Sequence, residues 1–93
     1  MSNEDVIIAF LRKEPLCRGK VRSNGFKLFV EDTCIAQWLE HKVLLNNTNY
    51  GAEIGKIQTL LYRWLIKSYI IFRVLDTDVP KGKQQIISYY NEE

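Results

Sequence analysis

In Ser23-Asn24-Gly25-Phe26-Lys27-Leu28-Phe29-Val30-Glu31-Asp32-Thr33-Cys34-Ile35-Ala36-Gln37-Trp38 a turn, a strand, a tight reversal and a second strand follow one another. Asn24-Gly25 supplies the positive φ angles that a tight turn requires, and Phe26, Leu28 and Val30 then alternate onto one face of a half-buried strand. Glu31-Asp32-Thr33 reverses the chain into Cys34 to Leu39, and Glu40-His41 reverses it again into Lys42 to Asn46. The expected product is a three-stranded antiparallel meander.

Upstream, Ser2-Asn3-Glu4-Asp5 is a helix-start signature before the apolar run Val6 to Leu11, so a short helix is expected from about Asn3 to Lys13. Pro15 stops it by disfavouring helical geometry at Glu14. Leu16 to Ser23 then reads as a basic connector or a short edge strand. Downstream, the polar loop Asn46 to Gly51 leads into a pattern of Ile54, Ile57, Leu61 and Trp64, which predicts a central amphipathic helix over about Ala52 to Lys67. Gly55 should leave its first turn frayed or irregular. Tyr69 to Leu75 is rich in β-branched and aromatic residues and favours a strand over an extension of the helix. Asp76 to Lys83 is a loop, and Gln84 to Tyr90 is expected to form a last strand pairing back on it. The fold class is therefore α+β, a small antiparallel sheet packed on the central helix with the N-terminal helix completing the core.

Ninety-three residues suit a single domain, because a chain of this length buries only about 60–65% of its unfolded surface. A 46% hydrophobic and 26% charged composition is that of a folded globular protein. Cys17 and Cys34 form neither a disulfide framework nor a Cys-x-x-Cys pair, so both thiols are expected reduced. The acidic start Met1 to Asp5 lacks the features of a signal peptide, and no apolar run approaches the roughly 18 residues of a membrane helix. An intracellular protein without a membrane partner is expected, and the sequon Asn46-Asn47-Thr48 has no consequence in that setting.

Candidate chemistry is sparse. His41 stands alone, without a second histidine or cysteine pair at metal-ligand spacing, so neither a metal site nor a cofactor is expected. Spacing leaves open a nucleophilic pair of His41 with Cys34 or Cys17, although a buried strand cysteine and a turn histidine are the commoner fate of such residues. Glu31-Asp32 and the Asp76/Asp78 pair read as solvated turn and loop carboxylates, and the five glycines are scattered, with no phosphate-binding loop. No catalytic residue is assigned, and an enzyme is not expected.

Charge offers more. Arg12, Lys13, Arg18, Lys20, Arg22 and Lys27 place six cations in sixteen residues on a chain of net charge only +2. Lys56, Arg63 and Lys67 share one face of the central helix, broadly opposite its apolar stripe. Arg18, Lys20, Arg22 and Lys27, helped by Lys56, Arg63 and Lys67, are thus the candidate nucleic-acid-binding residues, acting on backbone phosphates without reading sequence. Solvated surface charge explains the same run. The aromatics Phe26, Phe29, Trp38, Tyr50, Tyr62, Trp64, Tyr69, Phe72, Tyr89 and Tyr90 offer a base-stacking platform or, more simply, core. Phe29 should point away from Phe26 and Leu28, onto a ligand, a second element or a subunit interface. A rival reading makes the protein an interaction module or inhibitor of a host or viral protein, with Phe29, Tyr69 and Tyr89 as first contacts. Unpaired strand edges also make a homodimer an expectation.

Ser23, Gly25 and Leu28, then Thr33, Ile35 and Ala36, then Tyr50, Lys56 and Gln58 give residues from about 5 to 61 a pattern that resembles a family of small uncharacterised proteins of bacteriophages and other mobile elements. The pattern is a Ser/Thr-x-Gly turn, a Thr-x-Ile-Ala strand and a Tyr…Lys-x-Gln helix opening. Val30-Glu31-Asp32 replaces the family's aromatic-glycine approach to the threonine, and Glu53-Ile54-Gly55-Lys56-Ile57 replaces its Thr-Thr-Ser-Lys-His. The resemblance implies a mobile-element origin and supplies no mechanism.

Overall fold

The computed structural model describes residues 3–90. Helix α1 (Asn3–Leu11) leads into strands β1 (Pro15–Arg18), β2 (Val21–Asn24), β3 (Lys27–Val30), β4 (Thr33–Leu39) and β5 (Lys42–Leu45). Helix α2 (Ala52–Lys67), strand β6 (Phe72–Val74) and a single 3-10 turn at Ile87–Tyr89 follow. The six strands form one sheet in chain order, antiparallel from β1 to β5, while β6 pairs parallel to β5 after α2 crosses over. The fold is α+β, a meander packed on the central helix with a short N-terminal helix beside it.

Each helix ends in the same way. Lys13, at φ 60, takes the left-handed position after α1, with Glu14 N donating to Ala9 O and Lys13 N to Phe10 O. Tyr69, at φ 57, does so after α2, with Ile70 N donating to Leu65 O and Tyr69 N to Ile66 O. Both are Schellman closures, a position where glycine is the usual occupant. Between β2 and β3, Asn24 Oδ1 accepts from the Phe26 and Lys27 amides, and Gly25 stands at φ 100 with Lys13 O only 3.2 Å from where a Cβ would lie. The glycine is needed there for both its conformation and the close approach of α1.

The helices cover one face of the sheet. Val6, Ile7 and Phe10 of α1 and Ile54, Ile57, Leu61 and Leu65 of α2 pack on Val21, Leu28, Val30, Val43 and Leu45. Full burial stabilises side chains of this size by about 1.5–3 kcal/mol each, which makes this layer the main source of cohesion. Ile35 and Ala36 both join it although they are consecutive, because Phe29 pairs with Cys34 and Leu28 with Ala36, leaving Ile35 as the extra residue of a bulge. Trp38 Nε1 donates to Phe10 O at 2.8 Å and Trp64 Nε1 to Glu4 Oε2 at 3.0 Å, tying β4 and α2 to α1.

Several expectations need correction. Leu16 to Ser23 is a full β1–β2 hairpin, so the meander has five strands where three were expected. Phe26 lies in the turn and is 63% exposed. The first turn of α2 is regular, with Gly55 N donating to Gly51 O at 3.0 Å. The strand within 69–75 is confined to Phe72–Val74, since the chain is still leaving the helix at Tyr69.

The largest correction concerns Gln84 to Tyr90, which pairs with no strand. Residues 75–90 run as an irregular strap across the sheet's second face, where Leu75, Val79 and Ile86 cover Phe29, Cys34 and Leu44. Polar anchors replace a ladder: Tyr50 OH donates to Val79 O, Thr48 Oγ1 accepts from Val79 N, Thr33 Oγ1 accepts from Gly82 N, and Cys34 N donates to Lys83 O. Phe29, 3% exposed, therefore covers a second element. Both faces of the sheet are closed.

Candidate nucleic-acid interface

Alternation along β2 decides which cations meet. Val21 turns inward to the helix layer, so Arg22 points through the other face, where its guanidinium lies 4.1 Å from the Phe29 ring centre. Lys27 shares that side with Phe29 and Cys34, and its charge is felt at the Cys34 thiol. The six-cation run is thus divided between two sides of the sheet and is not one surface.

What the fold does bring together are Arg18 and Lys20 from the β1–β2 hairpin and Lys56 from α2. They rim a cleft of about 370 Å³ whose floor is Val21, Val30 and Ile57, with Asn3 and Glu53 completing its lining. Lys20 Nζ and Glu53 Oε1 stand 3.5 Å apart, both well exposed. An exposed pair of this kind contributes at most about 1 kcal/mol, so an incoming anion displaces Glu53 at small cost. Lys56 also lines the shallow groove along the outer side of α2, which continues past Gly55 and Thr59 to Arg63. Arg18, Lys20 and Lys56 thus share the cleft, and Lys56 also borders the shallow groove that reaches Arg63. Lys67, one turn beyond Arg63, sits over the Trp64 ring at 4.9 Å.

The base-stacking platform is not present on the sheet, because helices cover one face and the strap the other. Its aromatics have other work. Trp38 packs on Phe10 and under Lys13, Tyr50 hydrogen-bonds to Asn46 and Val79, and Tyr62 meets Phe72 edge to face.

The residues considered for nucleophilic chemistry are also separated. Cys34 is fully buried beneath the strap and its thiol donates to Ala36 O at 3.1 Å. Burial pushes it up to about 11, the Ala36 and Leu28 backbone and the Lys27 charge opposing only in part, so it is a protonated thiol at neutral pH. Cys17 is exposed on β1, while His41 is exposed at the β4–β5 turn beside Glu40, Lys42 and Arg73. Among the described residues no three His, Cys, Asp or Glu side chains gather where they could hold a metal ion, and no helix is long and apolar enough to cross a membrane.

Two features escaped the sequence. Asn46, at the start of the polar loop, is fully buried, its Nδ2 donating to Cys34 O and Tyr50 OH and its Oδ1 accepting from Thr48 N. A set of exposed apolar residues also extends from the last turns of α2 to β6: Tyr62, Ile66, Tyr69 and Val74, with Ile71 on the other side of the sheet from Tyr62 and Val74. Its trace in the sequence is that Ile66 and Ile71 stand outside the buried periodicity of Ile54, Ile57, Leu61 and Leu65.

Comparison with protein-family models, with curated proteins and with solved structures gives no match.

Proposed function

We propose that this protein is a small mobile-element accessory factor that binds nucleic-acid backbones through Arg18, Lys20, Lys56 and Arg63. The observation that carries the reading is that Arg18 and Lys20 meet Lys56, far apart in sequence, at one cleft, and that Lys56 also borders the shallow groove reaching Arg63. Arg22 and Lys27 are left out of the contact set because they lie on the opposite side of the sheet, and Lys67 is a peripheral member. With about four phosphates neutralised, affinity should fall with a log-log salt slope of about −3 to −4. Contacts are to phosphates, since both faces of the sheet are covered.

Fluorescence anisotropy of labelled duplex DNA, single-stranded DNA and RNA over a salt series tests this. Lys20→Glu with Lys56→Glu should weaken binding and flatten the slope, whereas Arg22→Glu should leave both nearly unchanged. Absence of binding to all three at low salt refutes the proposal.

A second reading, an interaction module for a protein partner, is favoured by the exposed apolar residues Tyr62, Ile66, Tyr69 and Val74, with Ile71 exposed on the other side of the sheet. Of its expected contacts only Tyr69 keeps its place, because Phe29 is buried and Tyr89 packs within the strap.

A further inference from the structure

The two edges of the sheet are built differently. β1 opens with Pro15 and closes with Arg18, both of which discourage pairing with another strand. β6 has no proline, and its one charge is Arg73 at its centre. It carries Phe72, Arg73 and Val74, preceded by Ile71 at 67% exposure and by Tyr69 at 95%.

Tyr69 also stands at φ 57, a conformation costing a non-glycine residue about 1 kcal/mol or more. A large aromatic held there in solvent is strained without any return in packing.

The outward-facing groups of β6 follow from its pairing. Val43 N donates to Ile71 O and Leu75 N to Leu45 O, so positions 71, 73 and 75 face β5. The N–H and C=O of Phe72 and Val74 then point outward, beyond the last strand among the described residues. Hollows flank them on both sides of the sheet: about 320 Å³ between Tyr62 and Val74 on the α2 side, and about 260 Å³ beside Ile71 and Arg73 on the other.

We infer that β6 receives an extended segment of a partner protein as a seventh strand, and that this segment reads apolar–acidic–apolar. The inference rests on the second of the two readings above and gives it a partner chemistry. Two apolar residues of the incoming strand fall on the α2 side, against Tyr62, Ile66 and Val74. The residue between them projects to the other side, opposite Arg73, where a carboxylate is complementary. One carboxylate, Glu40, already shares that hollow, with His41 and Lys42. A second copy of this chain is a poorer occupant. The symmetric antiparallel register that pairs all of β6 sets Phe72 against Val74 and Arg73 against itself, with Cβ atoms about 4.5–5.5 Å apart and like charges opposed.

The test is selection of a display library of random dodecapeptides on the intact protein, with enriched peptides then synthesised and titrated. Enrichment of the apolar–acidic–apolar pattern is expected, with binding about ten-fold weaker to Arg73→Glu and abolished by Val74→Pro. That proline removes an outward N–H that the sheet does not use, so thermal melting should confirm a folded variant. N-methylation of the peptide's pairing amides makes the same test with the protein unaltered. Binders that tolerate N-methylation, Arg73→Glu and Val74→Pro but are lost with Ile66→Asp overturn strand addition while leaving an apolar docking surface. No enrichment over Ile66→Asp overturns that surface as well. A dimer in sedimentation equilibrium that Val74→Pro dissociates assigns the edge to a second copy and overturns the partner.

Discussion

Replacing Asn46 by alanine should cost about 3–5 kcal/mol. Its side chain makes three hydrogen bonds, to Cys34 O at 3.0 Å, to Tyr50 OH at 2.9 Å and from Thr48 N at 3.0 Å. Each contributes about 1 kcal/mol net, and leaving the buried Cys34 carbonyl unpaired adds about 1–3 kcal/mol, part of which an entering water recovers. Against a total stability of roughly 5–14 kcal/mol for a chain of this size, the loss is severe. Urea unfolding of Asn46→Ala and of the exposed neighbour Asn47→Ala measures it, the latter being expected within about 0.5 kcal/mol of wild type. Asn46→Asp separates hydrogen bonding from volume. It keeps the shape but aims a carboxylate at the Cys34 carbonyl, which raises the aspartate's folded pKa above its unfolded value near 4. Its stability should therefore be highest below about pH 4 and fall as pH rises towards neutrality. An Asn46→Ala cost under about 1 kcal/mol, or an Asn46→Asp variant as stable as wild type at neutral pH, refutes the reasoning.

The Cys34 thiol gives a second pH signature. Because its pKa is about 11 when folded against 9.0 for the free group, the unfolded chain releases this proton first, and stability should decline between about pH 9 and 11 by up to roughly 3 kcal/mol. Cys34→Ala, less stable at neutral pH, should lack that decline, and an equal slope in both proteins contradicts the assignment. Tyr69→Gly should raise the urea midpoint by the equivalent of about 1 kcal/mol, because glycine adopts the left-handed closure without strain. A lower midpoint would show that the exposed ring contributes to the isolated fold.

The elements with strong local signals were legible. Asn24-Gly25 and the alternation after it gave β3 to β5, and the spacing of Ile54, Ile57 and Leu61 gave α2 with its bounds. The strap was not, because Gln84 to Tyr90 supplies apolar residues to cover Phe29 and Leu44, and covering a sheet asks for the same residue types as joining one. The cationic path was half legible. Charge density pointed at Arg18, Lys20 and Arg22 alike, and only the inward turn of Val21 separates the third from the first two. That Lys56 meets Lys20 is a matter of chain crossing that no local window contains. The burial of Asn46 has no local signature, since buried and solvated loop asparagines look identical in sequence.

Residues 75–90 are synthesised after every strand they cover. At about 5–20 residues per second, this cover is made roughly one to three seconds after the last strand. During that interval Phe29, Cys34 and Leu44 form an open apolar surface on the nascent chain. A stop codon or frameshift just after Val74 would make the condition permanent, producing a protein with all six strands and a sticky side, destined for chaperones or aggregation.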